Sequence, residues 1–168
     1  MTYLTYKYSG LPANQVIGSG TSLDTARLQL MIGKKLCINP KNVQAYVIGE
    51  HGDSEFVLWN SATIGLQPLK DFISASDMKL IEDDVRNAAY EIINRKGATY
   101  YGIGMCLVKI TNAILNNENS IVTVSSYDKT NDVFVGGPTV LNKDGVKQRI
   151  YVELDEEETN KLQNSIDI

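Results

Sequence analysis

Residues 121–154, IVTVSSYDKTNDVFVGGPTVLNKDGVKQRIYVEL, decide the fold. Within them Ile121 to Tyr127, Val133 to Leu141 and Val146 to Leu154 are rich in β-branched side chains and separated by polar breaks, which predicts three strands. The break Asn142-Lys143-Asp144-Gly145 is short enough to turn the last two strands back on each other, so an antiparallel meander is expected. Outward from it, toward the N-terminus, lies the layer that would cover such a sheet. Met78, Ile81, Val85, Ala88 and Ile92 recur at the helical period after Ser76-Asp77, and Ile103, Leu107, Ile110 and Ile114 do so after a break at Lys96-Gly97. Toward the C-terminus, Asp155 to Glu158 place acidic groups at the start of a final helix, where the macrodipole favours them. Long helices on an antiparallel sheet make the expected class α+β.

The N-terminal part is more broken. Leu4, Tyr8 and Leu11 recur at helical spacing until Gly10 and Pro12 end the segment, so the chain reads as beginning inside a helix. After the turn Gly18-Ser19-Gly20, Ser22 is placed to cap a helix running to about Leu36, with Leu23, Ala26, Leu30 and Cys37 on its apolar face and Asn39-Pro40 beyond its end. Val43 to Ile48 and Phe56 to Trp59 read as two strands around the polar turn Gly49-Glu50-His51-Gly52-Asp53.

With 168 residues the chain suits one domain, residues 1–168, with one core. Scattered basic residues, 16 against 20 acidic ones, argue against a nucleic-acid partner. Met1 to Gly10 lack the pattern of a signal peptide, and no apolar run approaches the roughly 18 to 20 residues that cross a bilayer, so a soluble protein is expected. Cys37 and Cys106 sit in apolar segments without CxxC spacing or a neighbouring histidine. Buried, reduced thiols, no metal site and a cytoplasmic location follow as expectations.

His51 is the only histidine, and glycines on both sides leave its ring approachable. Asp24 and Arg27, three apart on the helix, share a face. A carboxylate beside an imidazole fixes its tautomer and stabilises its charged form, and a guanidinium offers two parallel donors to a substrate carboxylate. The three residues are the minimum equipment for reducing a 2-oxo acid, except for a hydride source. Neither Gly18-Ser19-Gly20 nor Gly102-Ile103-Gly104 supplies one: leucine stands at the third glycine position of each, and no βαβ unit precedes the first.

The spellings Val16-Ile17-Gly18-Ser19-Gly20-Thr21-Ser22-Leu23-Asp24-Thr25-Ala26-Arg27 and Gly49-Glu50-His51-Gly52-Asp53-Ser54 resemble the active-site signatures of the L-lactate/malate dehydrogenase family. The resemblance continues through Lys96-Gly97-Ala98-Thr99 into the closing helix. It implies the C-terminal, substrate-binding domain fold of that family. It also implies that His51 is the proton donor and acceptor, Asp24 its partner and Arg27 the clamp on the substrate carboxylate. Thr99 would face the substrate, and Ser19 and Ile103 the nicotinamide of NAD. The implied reaction is hydride transfer between NAD and a small 2-oxo or 2-hydroxy acid. The stretch Glu55-Phe56-Val57-Leu58-Trp59 looks more like the L-2-hydroxyisocaproate branch than like a typical L-lactate dehydrogenase.

No counterpart of the family's Rossmann half, or of its mobile loop with the carbonyl-polarising arginine, is found in these residues. The expectation is therefore half of a dehydrogenase, inactive alone. Alternatives are a half completed by a separate nucleotide-binding chain, or a non-catalytic binding or assembly domain. A face evolved to lie against another domain would be left open, so a homo-oligomer, a dimer, is expected.

Overall fold

The computed structural model describes residues 1–168. Its largest sheet is the expected meander: β6 (Ser120–Asp128), β7 (Val133–Asn142) and β8 (Gly145–Arg149), paired antiparallel in that order. Numbering begins upstream, with α1 (Thr2–Ser9), α2 (Ser22–Leu36), α3 (Ala75–Lys96), α4 (Tyr100–Leu115) and α5 (Glu156–Ile166) as helices. Five two-residue strands, β1 (Val43–Gln44), β2 (Val47–Ile48), β3 (Phe56–Val57), β4 (Thr63–Ile64) and β5 (Gln67–Pro68), lie between α2 and α3. Helices on antiparallel sheets confirm the α+β class.

Three apolar clusters hold the layers together. Leu28 and Ile32 of α2 meet Val43, Val47 and Val57 and, from α3, Ile81 and Val85. Ile110 and Ala113 of α4 cover Val122, Val124 and Leu141 of the main sheet. Ile48, Phe56 and Leu58 receive Leu162 of α5 together with Val152 and Leu154. Those last two residues were expected to extend β8, which stops at Arg149 because the chain leaves the sheet to fill this third cluster.

The helix boundaries have local causes. Ser74 caps α3 by accepting a hydrogen bond from the Asp77 amide, and Gly97 ends it with φ +77°, as the Lys96-Gly97 break implied. Asp155 and Glu158 close a reciprocal capping box on α5.

Several expectations are corrected. Ser22 does not cap α2. It lies in the first turn, buried, and its hydroxyl donates to the Thr123 carbonyl at 2.6 Å. The face of α2 that enters the core carries Thr25, Leu28 and Ile32, whereas Ala26, Leu30 and Cys37 are exposed, because buried hydroxyls tie the opposite side of the helix to the strands. Cys37 is thus an exposed thiol at the left-handed end of the helix, and only Cys106 is buried. On α1, Tyr3 and Tyr6 pack against Phe134 and Tyr127 while Leu4 and Tyr8 face solvent, as does Leu11 beyond the helix end. Leu107 of α4 is likewise exposed. The run Val43 to Ile48 splits into β1, which pairs with β4, and β2, which pairs with β3. No helix is long and apolar enough to cross a membrane.

Candidate active site

Two turns bring the chemistry together, and one rung of the main sheet holds both. Ser125 of β6 and Gly136 of β7 are directly paired. Gly18 exchanges both main-chain hydrogen bonds with Ser125, at 2.9 and 3.0 Å, on one side of this rung. Gly49 does the same with Gly136, at 3.1 and 2.9 Å, on the other. A side chain at Gly136 would meet the Gly49 carbonyl at 2.7 Å, so only glycine lets the second turn close on the sheet.

From the first turn the chain enters α2, whose opening residues are buried although polar. The Thr21 hydroxyl donates to the Val47 carbonyl at 2.6 Å, and the Val47 amide donates to the Thr25 hydroxyl at 3.0 Å. The Thr123 hydroxyl donates to Thr25 at 2.9 Å. Every one of these hydroxyls finds a partner, so their burial rigidifies the helix start instead of destabilising it. Asp24 is carried on this fixed turn with only 2% of its surface exposed.

The second turn delivers His51 to it. The imidazole Nδ1 lies 2.8 Å from Asp24 Oδ2, while Arg27 Nη1 donates to Asp24 Oδ1 at 3.1 Å. One carboxylate therefore faces two cationic groups. The ring itself is 54% exposed, with its other nitrogen free for a ligand. The Asp24 carboxylate, helped by Glu55 and opposed by burial, pushes the His51 pKa up to about 10.

Glu55 belongs to the same constellation. Its Oε2 lies 3.5 Å from His51 Nδ1, the residue is 6% exposed, and burial raises its pKa above the usual carboxylate range while the imidazole opposes that rise. The ligand-type atoms of Asp24, His51 and Glu55 all lie within 4.8 Å of one another. With the Arg27 guanidinium already against Asp24 and a ring that holds its proton strongly, the trio is electrostatically a proton site more than a cation site. Sequence reasoning did not single out Glu55. Its placement four residues after His51 was visible, but just after a polar turn and before a strand a carboxylate reads as solvated.

Ser165 was missed too. It lies on α5, and its hydroxyl accepts from the Glu50 amide and sits 3.0 Å from the Ser54 hydroxyl, bracing the histidine turn from a distance of over a hundred residues in sequence.

The cavities follow this layout. One of about 220 Å³ is lined by Asp24, His51, Glu55, Arg86, Tyr90 and Ile93. Another of about 340 Å³ is lined by Arg27, Ile92, Ala98, Thr99 and Gly102, among others. Arg27 therefore links the histidine to the wall that holds Thr99, the residue just before α4. Ser19 and Ile103 are half-buried, the first in its turn and the second in the opening turn of α4, and neither lines these two cavities. The structure thus joins Asp24, Arg27 and His51 directly, brings in Thr99 through Arg27, and leaves Ser19 and Ile103 apart.

Comparison with known proteins gives a consistent picture. Residues 21–168 match the family described as lactate/malate dehydrogenase, alpha/beta C-terminal domain. The L-lactate dehydrogenase 2 proteins of Bacillus cereus and Bacillus anthracis are 49% identical over 178 aligned residues, covering 100% of this chain and 57% of their own length. The chain thus spans little more than half of these relatives. The crystal structure of MGS-M5, a lactate dehydrogenase from a Medee basin deep-sea metagenome library, superposes with a TM-score of 0.96 at 50% identity, over 99% of this chain and 56% of that one. The minor L-lactate dehydrogenase of Enterococcus mundtii in its ligands-bound form gives 0.95 at 41% identity, with the same coverage.

Proposed function

The chain belongs to the lactate/malate dehydrogenase family, as its alpha/beta C-terminal domain, and from that premise we propose that it is the proton-transfer and substrate-binding half of an NAD-dependent L-2-hydroxy acid dehydrogenase acting on a small 2-oxo acid. The observation that carries this reading is the arrangement of Arg27, Asp24 and His51, with contacts of 3.1 and 2.8 Å around a buried carboxylate.

Each group has a chemical task. Arg27, only partly engaged by Asp24 and lining the larger cavity, presents its remaining donors to the substrate carboxylate. Asp24 holds the His51 ring through Nδ1, so that the other nitrogen points its proton outward. In reduction that proton goes to the carbonyl oxygen of the 2-oxo acid. In the reverse direction His51 accepts it from the hydroxyl of the L-2-hydroxy acid. Thr99 bounds the space next to Arg27 that receives the substrate's side chain.

NADH, when bound, supplies the hydride. Ser19 and Ile103, which line neither cavity, are the positions that the family resemblance gives to the nicotinamide end of that cofactor. The Gly18 amide is consumed by Ser125, and Gly102 and Gly104 lie within α4, so neither glycine pair forms a phosphate cradle. The rest of the cofactor site falls to a nucleotide-binding half, in the same protein or as a separate chain. By itself the chain is inactive, because hydride transfer needs the nicotinamide positioned against the substrate. Tyr101, Met105 and Leu115 of α4 expose large apolar surfaces, which supports coverage by such a half or assembly into a homo-oligomer. Two free cysteines suit a reducing, cytoplasmic setting.

The test is NADH oxidation at high protein concentration with pyruvate, 2-oxoisocaproate and oxaloacetate, with and without a nucleotide-binding half from a Bacillus cereus relative. The expected result is turnover only in the mixture, with its loss in His51→Asn. Turnover in the mixture that survives His51→Asn would overturn the assignment, and so would silence of a mixture shown to have assembled.

A further inference from the structure

The function proposed above uses Asp24 as the single partner of His51, yet a second carboxylate is buried against the same nitrogen. Glu55 Oε2 and Asp24 Oδ2 are both buried with no donor other than the ring, at 3.5 and 2.8 Å from Nδ1, and Glu55 is only 6% exposed. A buried carboxylate oxygen without a donor is costly, so the nearest available proton is strongly drawn to it.

Among the surrounding charged groups the His51 ring is the one in ion-pair range of Glu55. From α2, Asp24 and Arg27 face the ring and pair with each other at 3.1 Å. From α3, Arg86 directs its terminal nitrogens to Glu82 and Asp83 at 3.4 Å and reaches Glu55 only at its main-chain carbonyl. Tyr90, also on α3, donates to Asp53 at 3.4 Å. From α4 comes the Cys106 thiol, kept neutral by burial. Arg27 is matched to Asp24; Arg86 keeps its Nε unpartnered in the same cavity but forms no ion pair with Glu55, so the one cationic group within 4 Å of the Glu55 carboxylate is a protonated His51.

We propose that Glu55 is a positioning residue for the dehydrogenase reaction, sharing the Nδ1 proton of His51 with Asp24 and supplying the counter-charge that keeps the ring an imidazolium, ready to donate from its other nitrogen. Asp24 fixes the ring's direction at 2.8 Å and contributes most to holding the proton, and Glu55 adds to that hold. This rests on the proposed role of His51 as proton donor and deepens it. The consequence is a shifted pH range: the protonated ring survives to higher pH than Asp24 alone would allow, and the upper pH limit of 2-oxo acid reduction rises with it.

His51 is the chain's only histidine, so its imidazole proton resonance can be followed by NMR without ambiguity in the full 168-residue chain. Replacing Glu55 by Gln keeps size and polarity but removes the charge, and the His51 midpoint is expected to fall by about one unit, a tenfold loss of proton affinity. Glu55→Asp, which retains the charge at shorter reach, is expected to recover most of that loss. In the unmodified chain the same resonance is expected to show a second inflection above pH 4.5, where Glu55 itself ionises. A folded Glu55→Gln chain with the unmodified midpoint would overturn the proposal. Should that variant not fold, a single inflection in the unmodified chain would overturn it equally. The functional reading fails separately, through His51-independent turnover in the complemented enzyme, and that result leaves the NMR outcome intact.

Discussion

Removing His51 should change how the stability of this chain depends on pH, and the structure gives the sign and window. In the folded chain the His51 pKa is pushed up to about 10, chiefly by Asp24 at 2.8 Å and then by Glu55, from an unfolded value of 6.5. Between those two values the folded state keeps a proton that the unfolded state has lost. Stability from this group is therefore fully present below pH 6.5 and is lost as pH rises through about 10. The limiting slope for one proton is about 1.4 kcal/mol per pH unit. Because the ring is 54% exposed, solvent screening reduces the total to about 1 to 2 kcal/mol across the window.

The assay is urea unfolding of the unmodified chain and of His51→Asn at intervals from about pH 6 to 10.5, with the difference between the two curves as the readout. Lys7, Lys161 and Tyr127, whose pKa values are also raised, occur in both proteins and drop out of that difference. The unmodified chain should hold its advantage at the acidic end of this range and lose it at the alkaline end. Parallel curves, or an advantage that grows with pH, would refute the Asp24–His51–Glu55 charge argument.

Two further substitutions probe the frame around the site. Leu28→Ala removes a side chain with 0% exposure from the contact between α2 and α3 and should cost about 3 to 5 kcal/mol in denaturant unfolding; a loss below about 1 kcal/mol would mean the core cluster is not closely packed there. Gly136→Ala places a methyl group 2.7 Å from the Gly49 carbonyl and 2.9 Å from the Thr21 hydroxyl, and should lower stability by about 1 to 3 kcal/mol while shifting the His51 resonance; a variant with the unmodified His51 titration would show that the rung does not position the histidine turn.

What the sequence made legible follows from how local each signal is. The meander, the Gly97 break and the α5 start each depend on residues within a few positions of one another, and all three appear in the structure. Asp24, Arg27 and His51 were legible as a constellation because their spelling is distinctive. The errors arise where long-range contacts override local pattern. The apolar face of α2 was misread because Thr21, Ser22 and Thr25, polar and apparently solvent-facing, are buried by hydrogen bonds to Val47 and Thr123. The end of β8 was misplaced because Val152 and Leu154 fit a strand period equally well but pack with Leu162. Glu55 and Ser165 were invisible as site residues because their significance depends on what faces them from distant parts of the chain.

The shared rung explains why Asp24, Arg27 and His51 come together in a chain that spans little more than half of its relatives. Gly18, Ser125, Gly136 and Gly49 lie side by side, so the start of α2 and the histidine turn are tied to one rigid reference through main-chain bonds, to which the buried hydroxyls of Thr21, Thr25 and Ser165 add. Asp24 follows the first anchor by less than two helical turns, and His51 follows the second by two residues. Neither placement depends on a side chain from outside this chain. Main-chain anchoring also leaves the functional side chains free of structural duty, so they can be tuned by their neighbours' charges without unfastening the turns. A site that requires a proton held in a defined direction and a hydride delivered from a cofactor can thus be divided between two folding units. This unit by itself fixes Asp24, Arg27 and His51 at contacts of 3.1 and 2.8 Å. In the function proposed above, a nucleotide-binding unit would then have only to dock against an already assembled surface.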